Sequence, residues 1–175
     1  MGVIVRIIIG LAMLAAVILA IGLTLPKNHR AESRLSLERS PEDVWSVIRN
    51  PAALVGTWSE LKSARQVQSA GGREVWEQNA GGFPMRIIIA SANPPRRLVT
   101  RIDADEKAAF GGTWTYTLTP TGNNGTTVSI VEDGYVNNPV FRVIMALIGK
   151  HRTLDGYLKA LADNFDEAVK PEHVY

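Results

Sequence analysis

Residues 112–120 read GTWTYTLTP, and the alternation in this stretch decides the fold class. Trp114, Tyr116 and Leu118 stand at every second position, and threonines occupy the positions between them. A period of two is typical of a β-strand with one buried face, because successive side chains point to opposite sides of a strand. We therefore predict a strand whose aromatic face points toward the core.

The segments on either side of this strand repeat its pattern. Strands are predicted at residues 32–39, 64–69, 73–79, 83–92, 97–103, 113–120 and 126–136. Glycine or proline pairs separate most of them, and such short turns join antiparallel neighbours rather than parallel ones. In the last strand Val128, Ile130 and Glu132 share one face, so the Glu132 carboxylate points inward if the two aliphatic side chains do.

Helical patterns flank the strands. The tetrapeptide Ser-Pro-Glu-Asp at residues 40–43 is typical of a helix start, with serine as N-cap and proline in the first turn. A second short helix is predicted to end at Trp58. From Asn138 to about residue 169 apolar residues recur at helical spacing, which predicts one long carboxy-terminal helix. Together these elements predict an α+β fold with one antiparallel sheet of about seven strands.

The order of the elements resembles the START-like helix-grip superfamily, also called SRPBCC, and within it the polyketide cyclase/dehydrase group. The resemblance covers residues 32–167 and is carried by SPEDVW at 40–45, Trp58, the strand at 112–120, GTTV at 125–128 and Glu132. It implies a helix-grip fold, in which a curved sheet wraps around the long carboxy-terminal helix and leaves a cavity between them. These motifs are structural, and none of them is a catalytic motif.

Alternation and helical spacing predict which side chains line that cavity. The candidates are Trp58, Trp114, Tyr116, Leu118, Val128, Ile130, Glu132, Ile144, Leu147 and His151. Two of them, Glu132 and His151, are weak candidates for acid–base chemistry. An ion pair or exposure at a strand end explains Glu132 better, and a hydrogen-bonded core histidine explains His151 better. No catalytic residue is assigned from the sequence.

Residues 3–25 form an apolar segment in which Arg6 is the only charged residue. At about 1.5 Å per residue it matches a hydrocarbon core about 30 Å thick, and we predict a single-pass membrane anchor. The predicted division is an anchor at 1–25, a tether at 26–31, a START-like domain at 32–169 and a tail at 170–175. A signal sequence cleaved after Gly22 and a buried core helix are the alternatives. Positive charge on both flanks leaves the membrane side of the domain open.

Composition excludes several functions. Nineteen Lys and Arg residues against 17 Asp and Glu residues leave a net charge of +2, which excludes a nucleic-acid binder that works by neutralising phosphates. The absence of cysteine excludes disulfides, thiolate metal sites and cysteine nucleophiles. His29, His151 and His173 lie far apart with no metal-binding spacing, and no nucleotide or hydrolase motif occurs, so neither a metal nor a cofactor is expected.

Three hypotheses for function remain. The first is a membrane-anchored START-like domain that binds a hydrophobic small molecule or lipid in its cavity. The second is a polyketide cyclase/dehydrase-type enzyme that uses Glu132 or His151 for proton transfer. The third is a protein-interaction domain with a filled core, which would use the apolar segment 140–148 as its contact surface. The identity of the ligand and the oligomeric state do not follow from the sequence.

Overall fold

The computed structural model describes residues 2–68, 72–105, 107–122 and 124–174. Three boundaries of predicted segments lie outside the described residues: residue 1 at the start of the anchor, residue 69 at the end of the second strand and residue 175 at the end of the tail. The helices are α1 (Gly2–Thr24), α2 (Pro41–Arg49), a short 3-10 helix (Pro51–Leu54), α3 (Pro139–Ile148) and α4 (Arg152–Asp163). The strands are β1 (Asn28–Leu37), β2 (Leu61–Gln68), β3 (Glu74–Ala80), β4 (Phe83–Asn93), β5 (Arg97–Ile102), β6 (Phe110–Thr121), β7 (Gly125–Val136) and β8 (Glu172–His173).

The strands form a single antiparallel sheet in the order β2-β3-β4-β5-β6-β7-β1-β8. The predicted α+β helix-grip fold is therefore confirmed. The sheet is wider than predicted, because β8 arises in the predicted tail and pairs with β1. Residues 28–31, assigned to the tether, are the start of β1 and pair with β7. Only residues 25–27 separate α1 from the sheet.

The pairing register of β6, β7 and β1 places their inward side chains next to one another. Trp114 pairs with Glu132, Tyr116 with Ile130, and Leu118 with Val128. On the other side of β7, Ala31 pairs with Glu132 and Ser33 with Ile130. One face of β1, β6 and β7 is thus continuous and points toward the helices.

Helix α2 begins as its sequence predicts. Ser40 takes an extended conformation, and its hydroxyl accepts a hydrogen bond of 3.1 Å from the Asp43 amide. Pro41 occupies the first turn, where it loses no helical hydrogen bond. The helix buries Val44, Val47 and Ile48 against the sheet, which closes one end of the fold.

The predicted long carboxy-terminal helix is divided into α3 and α4. Gly149 ends α3 with a φ of +88°, a conformation that glycine adopts without steric cost. Helix α4 starts three residues later and ends at Asp163 rather than near residue 169. Because of this break, the two helices cover different parts of the sheet.

Helix α4 packs on a closed core. Leu154, Leu158 and Leu161 have no exposed surface. They belong to one cluster with the inward aliphatic residues of the sheet, Leu35, Leu118, Val128 and Ile130. This closed half of the domain is formed by α2, α4 and the part of the sheet around β1, β6 and β7.

Helix α1 is the one helix in the described part of the chain that is long and apolar enough to span a membrane. Its aliphatic side chains are exposed along almost the whole helix. Near its carboxyl end Gly22 is buried, and there α1 contacts α3.

Candidate functional site

A cavity of about 430 Å³ lies between the sheet and helix α3. This volume falls in the range of small-molecule binding sites. Its walls are mainly apolar side chains from β3, β4, β5, β6 and α3, among them Trp76, Met85, Ile87, Ile102, Phe141 and Met145. The interior of the domain is therefore closed under α4 and hollow under α3.

Four aromatic rings line one part of the cavity. Tyr157 of α4 stands at their centre, with its ring centroid 5.4 Å from Trp58, 5.6 Å from Trp114 and 5.6 Å from Tyr116. The Trp58 and Trp114 centroids are 6.4 Å apart. Tyr157 meets Trp58 and Trp114 edge to face, at interplanar angles of 84° and 89°, an arrangement that aromatic pairs prefer. The four rings pack against one another and form one wall of the cavity.

The mouth of the cavity is apolar and open. Phe83, in the β3–β4 hairpin, stacks edge-on with Phe110 at 6.0 Å and with Phe141 of α3 at 6.2 Å. Phe83 is 49% exposed, and Ile144 and Ile148 of α3 are exposed to a similar extent while they also line the cavity. Side chains that line a cavity and are also exposed stand at its entrance.

Glu132 and His29 contribute polar groups to the cavity wall. The Glu132 carboxylate points inward, and its Oε1 atom lies 3.8 Å from Nε2 of His29. Gly134 makes room for the imidazole, because a Cβ on that residue would lie 2.5 Å from the His29 ring. The pair lies next to Trp114, whose strand position is directly opposite Glu132.

Two tyrosine hydroxyls supply neutral hydrogen-bonding groups. Tyr116 and Tyr157 both line the cavity, and their ring centroids are 5.6 Å apart. Burial raises the pKa of the Tyr116 phenol well above its ordinary value, and interaction with Tyr157 adds to the shift. Burial likewise raises the pKa of Tyr157. Both phenols are therefore protonated at neutral pH, so their hydroxyls carry a proton to donate and are not bases.

The structure brings half of the ten candidate residues to the cavity. Those that line it are Trp58, Trp114, Tyr116, Glu132 and Ile144. The predicted inward faces of β6 and β7 explain three of these placements, Trp114, Tyr116 and Glu132, and Ile144 reaches the cavity from α3. Trp58 reaches the cavity from the segment that follows the 3-10 helix.

The other five candidates lie elsewhere, and each has a physical reason. Leu118, Val128 and Ile130 do point inward, but they are buried in one packed cluster with residues of α2 and α4, which leaves no free space beside them. Leu147 is 81% exposed on the outer side of α3. His151 follows the break at Gly149, so it does not continue the stripe of α3.

His151 belongs to a polar cluster outside the cavity. Its Nδ1 atom lies 3.2 Å from Oγ of Ser33, which donates a hydrogen bond of 2.8 Å to Asp155. His173 of β8 stacks on His151 at 4.0 Å and contacts the other Asp155 oxygen at 2.8 Å. Burial lowers the pKa of His151, and the neighbouring His173 and Lys150 lower it further. Because Ser33 is fully buried, this cluster is a structural pin between β1, α4 and β8 rather than a hydrolytic triad.

Sequence reasoning missed several lining residues. His29 was assigned to the tether, so its strand position and its neighbour Glu132 were not foreseen. The inward face of β4, which includes Met85, Ile87 and Ile89, was not singled out either. Its alternation was visible in the printed sequence, but the run of three isoleucines at 87–89 conceals which positions point inward.

A second depression of about 830 Å³ lies beside the cavity at β3, β4 and the segment after β5. It is an open, partly charged surface groove that includes Arg65, Glu77, Arg86, Asp103 and Lys107. Because charged side chains line this groove, it favours water over an apolar ligand as its content. Within the described residues no group of three or more His, Asp or Glu side chains is placed to hold a metal ion.

Comparison with known sequences identifies the family. The profile of the family described as polyketide cyclase / dehydrase and lipid transport matches residues 28–170. The chain belongs to this family. The match begins at the first residue of β1 and leaves α1 outside, so the apolar helix is an addition to the family domain. No protein with a curated description matches the chain.

Solved structures with the same fold are distant in sequence. A START superfamily protein from Mycobacterium smegmatis is 17% identical, with a TM-score of 0.59 over 79% of this chain and 97% of that one. The Zhui aromatase/cyclase from a Streptomyces species is 11% identical, with a TM-score of 0.64 over 79% of this chain and 94% of that one. Truncated norcoclaurine synthase from Thalictrum flavum is 13% identical, with a TM-score of 0.59 over 78% of this chain and 92% of that one. At these identities the likeness establishes the fold alone.

Proposed function

We propose that this protein is a membrane-anchored START-like domain that binds a hydrophobic small molecule or lipid in the cavity under α3. The observation that carries the proposal is the hollow itself, about 430 Å³ with predominantly apolar walls. An empty apolar space of that size is costly, because the side chains around it lose packing contacts. A ligand would restore those contacts and remove its own apolar surface from water, at about 25 cal/mol per Å².

The polar groups of the cavity restrict the ligand. Tyr116 and Tyr157 present protonated hydroxyls, and Glu132 with His29 presents a carboxylate and an imidazole. A few polar groups in an apolar pocket orient a ligand rather than bind it tightly. The ligand class that fits is an amphiphile with one small polar group and an apolar body.

The anchor is part of the proposal. Helix α1 has the length and composition of a membrane span, and its apolar side chains are exposed along its length. Its end is bonded into the folded domain through the carbonyl oxygens of Gly22 and Leu25, which favours retention of α1 over cleavage after Gly22. The expected result of alkaline carbonate extraction is that the full chain stays in the membrane pellet. The intact mass of the purified protein distinguishes an anchor from a cleaved signal sequence.

Ligand binding is tested on the full chain in detergent micelles. Native mass spectrometry and solvent extraction of the protein from cells should recover an apolar molecule. Dansylaminoundecanoic acid should bind in competition with it, with energy transfer from Trp114 and Trp58. Ile87→Trp fills the cavity and should weaken probe binding by about tenfold or more, equivalent to ~1.4 kcal/mol.

The matched control is Arg86→Trp, which places the same side chain on the opposite face of β4. Arg86 is exposed and does not line the cavity, so this variant should bind the probe like the wild type. Equal binding by the wild type and Ile87→Trp, with equal thermal stability, would contradict binding in this cavity.

A cyclase/dehydrase-type enzyme is the second candidate. It is favoured by the inward Glu132 carboxylate 3.8 Å from His29, a pair that has the residue types for proton transfer. Incubation with a linear poly-β-ketone thioester should then give a cyclised product, and Glu132→Gln should abolish it while probe binding persists. No product from the wild type, with probe binding intact, leaves the binding module as the function.

A further inference from the structure

The junction between α1 and α3 is a tight contact rather than a flexible linker. Gly22 lies against Pro139 so closely that a Cβ would come within 2.1 Å of the Pro139 carbonyl oxygen. Only glycine permits this approach of two backbones. Since residues 25–27 alone connect α1 to β1, the direction of α1 is fixed relative to the domain.

Arg142 holds this junction together. Its side chain is buried, and its Nη1 atom donates hydrogen bonds of 3.1 Å to the carbonyl of Gly22 and 3.3 Å to that of Leu25. Its Nε and Nη2 atoms donate to the carbonyls of Val136 and Asn137 at 2.8 and 2.9 Å. The guanidinium thus caps the carboxyl end of α1, where the helix dipole favours a positive charge, and ties it to the end of β7.

Helix α3 carries an exposed apolar face beside this junction. Val140, Ile144, Leu147 and Ile148 are spaced as one side of a helix, and all four are exposed. Leu147 is 81% exposed, the largest value among the apolar side chains of the described residues. The whole of α3 is about 15 Å long, so this face lies within that distance of the end of α1.

The exposed face of α3 and the mouth of the cavity are one surface. Ile144 and Ile148 belong to both, and Phe83 stands across the opening. This surface is continuous with α1, which is itself exposed and apolar. Exposed lysines follow both helices, Lys27 after α1 and Lys150 after α3, as at the edge of a membrane-embedded surface.

We propose that the exposed face of α3 lies in the interfacial layer of the bilayer that α1 spans, so that the cavity opens directly onto the acyl chains. The ligand then passes between bilayer and cavity without crossing water. The inference rests on the proposed function for the anchor, and it adds the partner, a lipid surface, and the route of entry. The rigid junction at Arg142 supplies the orientation that a flexible tether would not give.

The chain contains no cysteine, so single cysteines can be introduced for labelling without background. Leu147→Cys places an environment-sensitive NBD probe on the exposed face of α3. Thr119→Cys is the control, since Thr119 is exposed and pairs with Thr127 at the opposite end of β7, about 30 Å from α3. Both full-length proteins are reconstituted in vesicles of phosphatidylcholine and phosphatidylglycerol.

The expected result is that a nitroxide on the lipid acyl chain quenches the probe at residue 147 and that aqueous iodide does not. The probe at residue 119 should show the reverse. Equal quenching by iodide at both positions would overturn the proposal. Protection from iodide without quenching by the lipid nitroxide would overturn it as well, because it indicates a protein partner or a second copy on this face.

A second measurement separates this inference from the proposed function. Transfer of dansylaminoundecanoic acid from vesicles to the reconstituted protein should slow at least severalfold in Leu147→Glu, while equilibrium binding of the probe in detergent stays unchanged. Failure of the probe to bind in detergent contradicts the proposed function and leaves the quenching result intact. Unchanged transfer in Leu147→Glu contradicts entry through the bilayer-facing mouth.

Discussion

The two halves of this domain use one sheet in opposite ways. Under α4 the inward side chains Leu118, Val128 and Ile130 meet buried leucines and leave no space. Under α3 the inward side chains of the same sheet, such as Ile87 and Trp114, face a cavity of about 430 Å³. The strands alternate in the same manner in both halves. The difference arises from the helices, because the break at Gly149 allows α3 to lie apart from the sheet while α4 packs on it.

An inward apolar side chain of this sheet therefore has one of two roles. It stabilises the fold where a helix packs directly on it, and it lines a cavity where the helix stands away from the sheet. The closed half supplies stability, and the hollow half can therefore remain incompletely packed. Substitutions in the two halves should accordingly affect different measurements.

The largest expected effect is on the closed core. Leu158→Ala should lower the free energy of unfolding by about 2–5 kcal/mol, because Leu158 is fully buried and its removal leaves a hole. Ile87→Ala, in the hollow half, should cost about 1 kcal/mol, because that side chain is only partly buried and already borders free space. Urea unfolding of both full-length variants in micelles measures the difference. Equal losses would contradict the division into two halves.

The next effect is at the junction that joins the hollow half to α1. Arg142→Met should lower the free energy of unfolding by about 2 kcal/mol, because it leaves buried carbonyl groups of α1 and β7 without their donor. Arg34→Met is the control, since Arg34 forms an exposed ion pair with Glu172 and should cost less than about 1 kcal/mol. Arg142→Lys should recover only part of the loss, because one ammonium group cannot reach carbonyls on both sides. Similar losses in Arg34→Met and Arg142→Met would refute a structural role for the junction.

The sequence predicted the elements better than it predicted the space between them. Alternation located the inward faces of β6 and β7, and the Ser-Pro-Glu-Asp tetrapeptide located the start of α2. Both features are local, and local patterns are what a sequence records directly. The first four residues of β1, 28–31, were assigned to the tether because they are mostly polar and follow the apolar segment.

Which of the candidate residues line the cavity depends on how far the covering helix lies from the sheet. Periodicity identified Val128 and Glu132 as members of one face, but it does not record how near a helix lies to each of them. An isolated glycine is tolerated within a helical pattern, so Gly149 was not recognised as the end of α3. With the break unrecognised, Leu147 and His151 were placed on a continuous stripe that does not exist.

The helix caps provide a finer comparison of the two halves. Ser40 caps α2 in the closed half, and Asn138 caps α3 by accepting from the amides of Val140 and Phe141. Each alanine substitution should cost its own helix about 1 kcal/mol. Ser40→Ala should lower global stability, because α2 belongs to the closed core, whereas Asn138→Ala should mainly loosen α3. Hydrogen exchange checks this: amides of α3 should exchange faster in Asn138→Ala, with the slowest core amides unchanged. A matching change throughout the sheet would mean that α3 unfolds only together with the core.

The smallest expected effect is the pH dependence that His151 gives to the closed half. Burial lowers the pKa of His151, with further lowering from His173 and Lys150, and the Asp155 carboxylate opposes part of that shift. As the pH falls below about 6.5, the unfolded chain therefore binds a proton at His151 before the folded chain does. The stability contributed by the neutral imidazole is complete above that pH and is lost below it. His151→Gln should flatten the dependence of the urea midpoint on pH between about 7 and 5, whereas His173→Gln should keep a smaller slope, because burial still acts on His151. A slope that His151→Gln leaves unchanged would assign the effect to other groups. Because Ser33, His151, Asp155 and His173 are not among the residues that line the cavity, binding of the dansyl probe should follow the loss of folded protein and show no separate transition.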